Sequence, residues 1–340
     1  AASDISATGE VAYDAQNELP MDLLSYRRLP LGFVWQSGLV RSLRHHKSSI
    51  LCVGYDPHYL SSSYAAWWAR RNGVSVVMWG HGVNAKSGKL ARWLYRRMAG
   101  LADALVFYAE QGAELSVANG VRADRVFVAW NSIDTRKIEK VREAKPFALR
   151  KRVVYLGRLT EAKKPILAIR GFAKALPDLP QNTILTLIGD GPESSALREE
   201  AVALGIEKRL ELTGSIYDDE ALAAYMNDSW VCLSPGYVGL SAIHSLAFGV
   251  PMLFARDEKH SPEVCALEVD VNALDFESDN ADALASKIVN LSRDRELCCR
   301  FGISGIETVR TKFSAEAMCN VLVDVMKSAA RRKSDEMVRV

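Results

Sequence analysis

One arginine and two lysines share the nine-residue segment Gly157-Arg158-Leu159-Thr160-Glu161-Ala162-Lys163-Lys164-Pro165. A diphosphate needs fixed cations of this kind, with Arg158 offering a planar fork of donors and Lys163, or Lys164 one position on, a point charge. Taken alone, the segment is equally a solvated basic loop. Gly189-Asp190-Gly191-Pro192 is a tight turn that would serve any strand-to-helix junction. A third segment, Ser234-Pro235-Gly236-Tyr237-Val238-Gly239-Leu240-Ser241, leads into a stretch carrying His244. Its glycines would let a phosphate approach the N–H groups of a helix start, where the helix dipole favours negative charge. Each segment alone reads as a turn, and the three in series read as an anion site.

Such segments do chemistry only where the fold holds them beyond the carboxyl ends of parallel strands, the place where open sheets bind ligands. Short apolar runs at 153–156, 183–188, 210–212, 230–233 and 251–254 alternate with helical periodicity at 165–175, 193–204, 219–226 and 241–247. That alternation, with short loops, predicts a doubly wound domain in which each of the three segments follows a strand. Upstream, strands are predicted at 49–54, 74–80, 103–108 and 125–130 and helices at 61–71, 90–99 and 109–118, which implies a second parallel sheet. Residues 133–152, charged and interrupted by Pro146, suit a linker, and 315–330 suits an amphipathic helix. Residues 1–22 read as a loop or the remnant of an earlier element. The expected class is therefore α/β, two Rossmann-like domains with parallel sheets facing a cleft, over 1–145 and 146–325, with 326–340 a polar tail.

Composition agrees with a globular chain: 340 residues exceed one ordinary core, with 49% apolar and 25% charged residues. No apolar run is long enough for a membrane span, and no charged and apolar leader opens the sequence, so a cytoplasmic location, peripheral to the inner membrane at most, is expected. The six cysteines (Cys52, Cys232, Cys265, Cys298, Cys299 and Cys319) form no CxxC pair and have no histidine at metal spacing. Neither zinc nor a disulfide framework is predicted. Charge is uneven: residues 1–145 carry 19 Lys+Arg against 13 Asp+Glu, and between Leu23 and Ala102 twelve basic residues face one acid, Asp56. That field would draw the N-terminal half to an anionic surface.

The ordered series of motifs resembles a known family. Residues 153–276 look like the donor-binding domain of the retaining glycosyltransferases of family 4, which have the GT-B fold. The likeness rests on Gly-Arg-Leu with a lysine five residues after the arginine, Gly-Asp-Gly-Pro, Leu-Thr-Gly-Ser at 212–215, the Pro-Gly-Tyr-Val-Gly-Leu-Ser loop, Phe-Gly-Val-Pro at 248–251 and Ser-Pro-Glu at 261–263. It extends upstream to Trp79-Gly80-His81-Gly82 and to Asn131-Ser132-Ile133-Asp134, a segment that in the family ends the N-terminal domain.

The resemblance implies a nucleotide-sugar donor, no metal or other cofactor, and a glycan or lipid-linked acceptor, with polysaccharide assembly as the setting. It makes Arg158 and Lys163 ligands of the donor diphosphate, Lys164 their alternative, and the backbone at Gly239, Leu240 and Ser241 a second cradle for it. Gly214 falls where the base is read, Asp190 and Glu263 lie in donor-side motifs, and His81 projects from the N-terminal domain to hydrogen-bond the donor sugar. Two departures stand out. The family's paired glutamates, eight positions apart, are here Gly236 and His244; His244 can still meet a ribose hydroxyl, whereas Gly236 has no side chain to meet the hexose. The family also opens with a strand and a Gly-rich loop, and neither is legible before Leu51, so that the domain is expected to be either cut or reduced at its amino end.

An oxidoreductase is disfavoured, since no G-x-G-x-x-G opens a helix with an acid about twenty residues on. A non-catalytic transferase-like scaffold is the alternative that the missing glutamates suggest, and the retained Arg158 and Lys163 count against it. The basic stretch holding Arg41, Arg44, Lys47, Arg70, Arg71, Lys86, Lys89, Arg92, Arg96 and Arg97, interleaved with Trp67, Trp68 and Trp93, predicts docking on an anionic membrane, not on nucleic acid. Packing of the tryptophans into the core is the alternative.

Overall fold

A computed structural model describes residues 24–338 other than 47, 85 and 144. The loop expected at 1–22 and Lys47 therefore lie outside the described residues. The first described elements are an antiparallel hairpin, β1 (Tyr26–Arg28) and β2 (Val34–Gln36), and a short helix α1 (Leu39–His46). Then comes a four-stranded parallel sheet, β3 (Ile50–Gly54), β4 (Ser75–Gly80), β5 (Ala104–Phe107) and β6 (Val126–Val128), in sequential order. Its connections are α2 (Leu60–Arg71), α3 (Lys89–Ala99) and α4 (Glu110–Ala118).

The second sheet has six parallel strands: β7 (Arg152–Leu156), β8 (Ile184–Ile188), β9 (Leu210–Gly214), β10 (Ser229–Ser234), β11 (Met252–Ala255) and β12 (Ala273–Phe276). Their spatial order, β12-β11-β10-β7-β8-β9, reverses direction between β7 and β10. That reversal is the topological switch point of a doubly wound sheet, where a crevice opens beyond the strand ends. Connecting helices are α6 (Pro165–Ala175), α7 (Ser194–Ala203), α8 (Asp219–Met226) and α9 (Ser241–Ala247), followed by α10 (Ala281–Arg293) and α11 (Arg295–Thr308). The strands are near-continuous apolar runs because both faces are covered: Val153, Tyr155, Leu185 and Leu187 pack under α6 and α10 on one side, Val154, Ile188 and Cys232 on the other.

Two expectations need correction. The stretch taken as a linker contains α5 (Thr135–Val141), whose first turn is capped by the Asp134 carboxylate accepting the Arg136 N–H and whose Ile138 is buried in the second core. The polar tail is also helical: α12 runs from Ala315 to Val338. Met318, Val321, Leu322, Val325, Met326 and Ala329 recur at helical spacing and pack against Val77 and Val106, so the last helix covers the second face of the first sheet. The chain thus crosses between the two units twice, and the crossings touch: the Ala315 N–H donates to the Ile133 carbonyl at 2.9 Å and the Ile133 N–H to that of Phe313 at 3.1 Å.

Candidate functional site

The three segments singled out by their chemistry meet at the switch point. Beyond β7, the Gly157 N–H donates to the Ile188 carbonyl at 3.0 Å and the Leu159 N–H to that of Asp190 at 2.9 Å, fastening the basic loop to the turn after β8. Gly189 sits at φ +148, and a Cβ there would lie 1.9 Å from the Gly157 carbonyl oxygen, so only glycine lets the two strand ends close up. The Asp190 carboxylate accepts the Gly191 N–H at 2.7 Å and the Ser194 hydroxyl at 3.2 Å, holding the turn. Gly214, at φ +77 with open space around its α-carbon, accepts the Gly189 N–H at 2.9 Å.

The two cations differ in setting. Arg158 is exposed, while Lys163 is half-buried with its ammonium 4.8 Å from the centre of the Tyr237 ring. Burial, then the nearby Arg158 charge, push the Lys163 ammonium down to about 8, and Glu263 acts in the opposite sense. Lys164 is elsewhere: with its backbone left-handed at φ 49, its ammonium is held by Glu258 at 2.6 Å and Asp279 at 2.7 Å. Those two carboxylates, not the crevice, occupy the lysine that the sequence offers as the alternative diphosphate ligand.

The third loop lies directly over the first. The Tyr237 N–H donates to the Ala162 carbonyl at 2.9 Å, and a Cβ on Gly236 would come within 2.5 Å of that oxygen. The missing first glutamate is thus a steric fact, since the backbone of residues 162–163 fills the space a side chain would need. A Cβ on Gly239 would lie 3.2 Å from the Lys163 Nζ, which places the ammonium over this loop. Among the described residues, the N–H groups of Gly239, Leu240 and Ser241 donate to no protein acceptor and remain available to an anion. His244 Nδ1 donates to the Leu240 carbonyl at 3.1 Å, which leaves Nε2 of the neutral ring as an acceptor for a hydroxyl.

Residues that the sequence did not single out support this loop. His260 Nδ1 accepts the Val238 N–H at 3.2 Å while its Nε2 donates to the Ala255 carbonyl at 2.8 Å. Burial holds His260 below the usual histidine range, which favours the neutral ring that these bonds require. Glu263, expected on the donor, is buried beneath the loop: it accepts from the Ser261 hydroxyl and from Asn131 Nδ2. A histidine in the charged run Glu258-Lys259-His260 carries no sequence signal of such a role.

His81 directly follows β4 on the other unit, exposed, with its ring 4.7 Å from that of Tyr108. Gly112 of α4 packs so closely on the His81 carbonyl that a Cβ would be 2.6 Å away, which fixes the backbone carrying the ring. The carboxyl ends of the two sheets approach each other: Asn131, after β6, bonds Glu263, after β11, and Glu110 at the start of α4 acts with burial and Glu263 in raising the Cys265 thiol to about 12.

Among the described residues no helix is long and apolar enough to cross a membrane. Trp93 is 53% and Trp67 41% exposed, so these two do not belong to the core, whereas Trp68 is half-buried against it. Each carries a guanidinium over its ring: Arg97 on Trp93 at 5.4 Å, Arg71 on Trp67 at 4.5 Å and Arg44 on Trp68 at 5.3 Å.

Comparison with known proteins fits this geometry. The Glycosyl transferases group 1 profile matches residues 137–308, and the Glycosyl transferase 4-like domain profile matches 10–131. The chain is 28% identical over 181 residues to the lipopolysaccharide core biosynthesis glycosyltransferase LpsD of Rhizobium meliloti, covering 53% of this chain and 50% of that one. It is 28% identical over 191 residues to D-inositol 3-phosphate glycosyltransferase of Corynebacterium efficiens, covering 54% and 44%. The chain spans about half the length of these curated relatives or less. In fold it resembles a glycosyltransferase from Rickettsia africae, with a TM-score of 0.70 at 15% identity over 86% of this chain and 79% of that one. It likewise resembles HepE from Anabaena in complex with UDP, with a TM-score of 0.66 at 16% identity over 86% and 81%. With the switch-point loops, the matched profiles and the paired parallel sheets in agreement, the chain belongs to the group 1 glycosyl transferases, on a GT-B fold.

Proposed function

We propose that this chain transfers a hexosyl-type sugar from a nucleotide-sugar donor to a glycan or lipid-linked acceptor, with retention of configuration and without a metal. The observation that carries the reading is the pair Arg158 and Lys163 at the switch point, beside three unused N–H groups at Gly239, Leu240 and Ser241. As the glycosidic bond to the diphosphate breaks, negative charge grows on the leaving group, and pre-placed cations and N–H groups stabilise that growth. The sugar passes through an oxocarbenium-like state, and the leaving phosphate accepts the proton of the attacking hydroxyl, so no carboxylate base is assigned. Fixed cations take the part of a divalent ion here, and no cofactor is assigned either. His244 Nε2 would accept from a ribose hydroxyl, and His81 would hydrogen-bond the donor sugar.

Support for a polysaccharide setting comes from the relatives named for lipopolysaccharide core biosynthesis. Exposed Trp67 and Trp93, each under an arginine, support docking of the N-terminal unit on an anionic membrane at the cytoplasmic face. The test is a thermal-shift panel of nucleoside diphosphates and nucleotide sugars followed by transfer assays. Any ligand of the native state must raise the melting temperature, and a chain that no nucleoside diphosphate stabilises is a scaffold and not a transferase.

A further inference from the structure

We propose that Glu263 is a positioning residue that never meets the donor but ties Lys163 and the phosphate loop to the crossing between the two units. The inference rests on the donor-site reading above. It starts from burial: Glu263 is only 7% exposed, and a carboxylate removed from water in that way must be fully engaged. Its partners come from three parts of the chain. Asn131, where the chain leaves the first sheet, donates its amide to one carboxylate oxygen. The Ser261 hydroxyl donates to the other and also lies 2.8 Å from the carbonyl of Val238, inside the phosphate loop.

The third connection is electrostatic. Lys163 Nζ and Ser261 Oγ lie 3.2 and 3.9 Å from where a Cβ of Gly239 would stand, so the ammonium and the hydroxyl that Glu263 holds face the same point of the phosphate loop. The groups facing Lys163 are Arg158 from its own loop, the Tyr237 ring from the phosphate loop, and His260 and Glu263 from the segment after β11. Of the charged groups among these only Glu263 favours the charged amine, alongside the Tyr237 ring and against burial and Arg158, which both oppose it. An ammonium that titrates at about 8 stands close to the pH at which the site must hold an anion, and Glu263 keeps it protonated there. Glu263 also faces the Cys265 thiol, whose titration lies well above this range.

Calorimetric titration of inorganic diphosphate from pH 6 to 9 tests this, because the probe needs no knowledge of base or sugar. Titration of the probe itself is common to all variants and cancels in their ratio. In Glu263→Gln the alkaline loss of binding should begin about one pH unit lower than in the wild type. The two proteins should then bind within about 2-fold at pH 6 and differ by about 5- to 10-fold at pH 8, at tenfold per unit. A Glu263→Gln protein with the alkaline limb of the wild type overturns the proposal. If that variant does not fold, Glu263→Asp, which keeps the charge but withdraws it by one methylene, should show a smaller shift in the same direction, and no shift overturns it. Wild type that fails to bind diphosphate at any pH removes the donor-site reading itself, and the proposal falls with it.

Discussion

Replacing Lys163 with methionine should make the unliganded protein more stable while abolishing diphosphate binding. The amine is held at about 8 against its ordinary 10.5 because burial and Arg158 disfavour its charge. That difference corresponds to about 3 kcal/mol at about 1.4 kcal/mol per tenfold. Screening of a half-exposed group and loss of the contact with the Tyr237 ring reduce the net gain to about 1–2 kcal/mol. In a chain of this size such a gain raises the melting temperature by about 1–3 °C. Because the folded site binds the proton less tightly than the unfolded chain does, the cost of the charged amine is fully present below about pH 8 and disappears above 10.5. Thermal denaturation of both proteins from pH 6.5 to 10.5 should therefore show Lys163→Met ahead at neutral pH and the gap closing through the alkaline range. Saturating inorganic diphosphate should reverse the order at pH 7, since only the wild type binds it. A variant less stable than the wild type at pH 7, or a gap that does not change up to pH 10, refutes the reasoning.

Arg158→Ala should weaken nucleoside diphosphate binding by about 1.5–3 kcal/mol, the range for charge-assisted hydrogen bonds, without changing the circular dichroism spectrum; unchanged affinity by calorimetry counts against its place at the phosphates. His244→Ala should cost more affinity for a nucleoside diphosphate than for inorganic diphosphate, and equal losses would place the ring at the phosphates instead. Gly236→Ala should lower both melting temperature and diphosphate affinity, because its Cβ meets the backbone of residues 162–163; wild-type behaviour would show that the loops separate easily. Lys89→Glu with Arg97→Glu, both exposed, should abolish co-sedimentation with anionic vesicles and spare diphosphate binding. Arg92 and Arg96 are poorer choices, since Arg92 Nε holds the Ser87 carbonyl at 2.9 Å and Arg96 packs 3.4 Å from the Cβ position of Gly120.

Legibility followed the range of the interactions. Every parallel strand except β12 was readable because β-branched runs buried on two faces leave a local pattern, and the loops after β7, β8 and β10 followed from them; β12, Ala273-Leu274-Asp275-Phe276, is a four-residue edge strand with a charge inside it. Helix α5 was not, because Arg136, Lys137, Glu139 and Lys140 give it a linker's composition while little beyond Ile138 is buried. The hairpin was missed because its strands have three residues each and turn through Leu31 at φ 61, a conformation that leucine does not announce. At the site, the cations were legible and their division of labour was not. Lys164 is drawn off by Glu258 and Asp279, 94 and 115 residues away, and Glu263 by Asn131, 132 residues before it. No window along the sequence contains both members of such pairs.

Because α12 closes the far face of the first sheet, the order of synthesis opposes the order of completion. Val77 and Val106 are made well before the side chains that cover them, Val325 and Ala329, which come about 220–250 residues later. At ribosomal speeds of roughly 5–20 residues per second, that face stays bare for roughly 10–50 s after its strands are made. During that interval the N-terminal sheet is an aggregation-prone surface, and the second unit, the buried residues of whose two cores lie between Ile138 and Phe313, finishes before the first is covered. The first unit is thus the last to become whole, and a nascent chain released before its final helix would carry a complete donor crevice beside an unfinished neighbour.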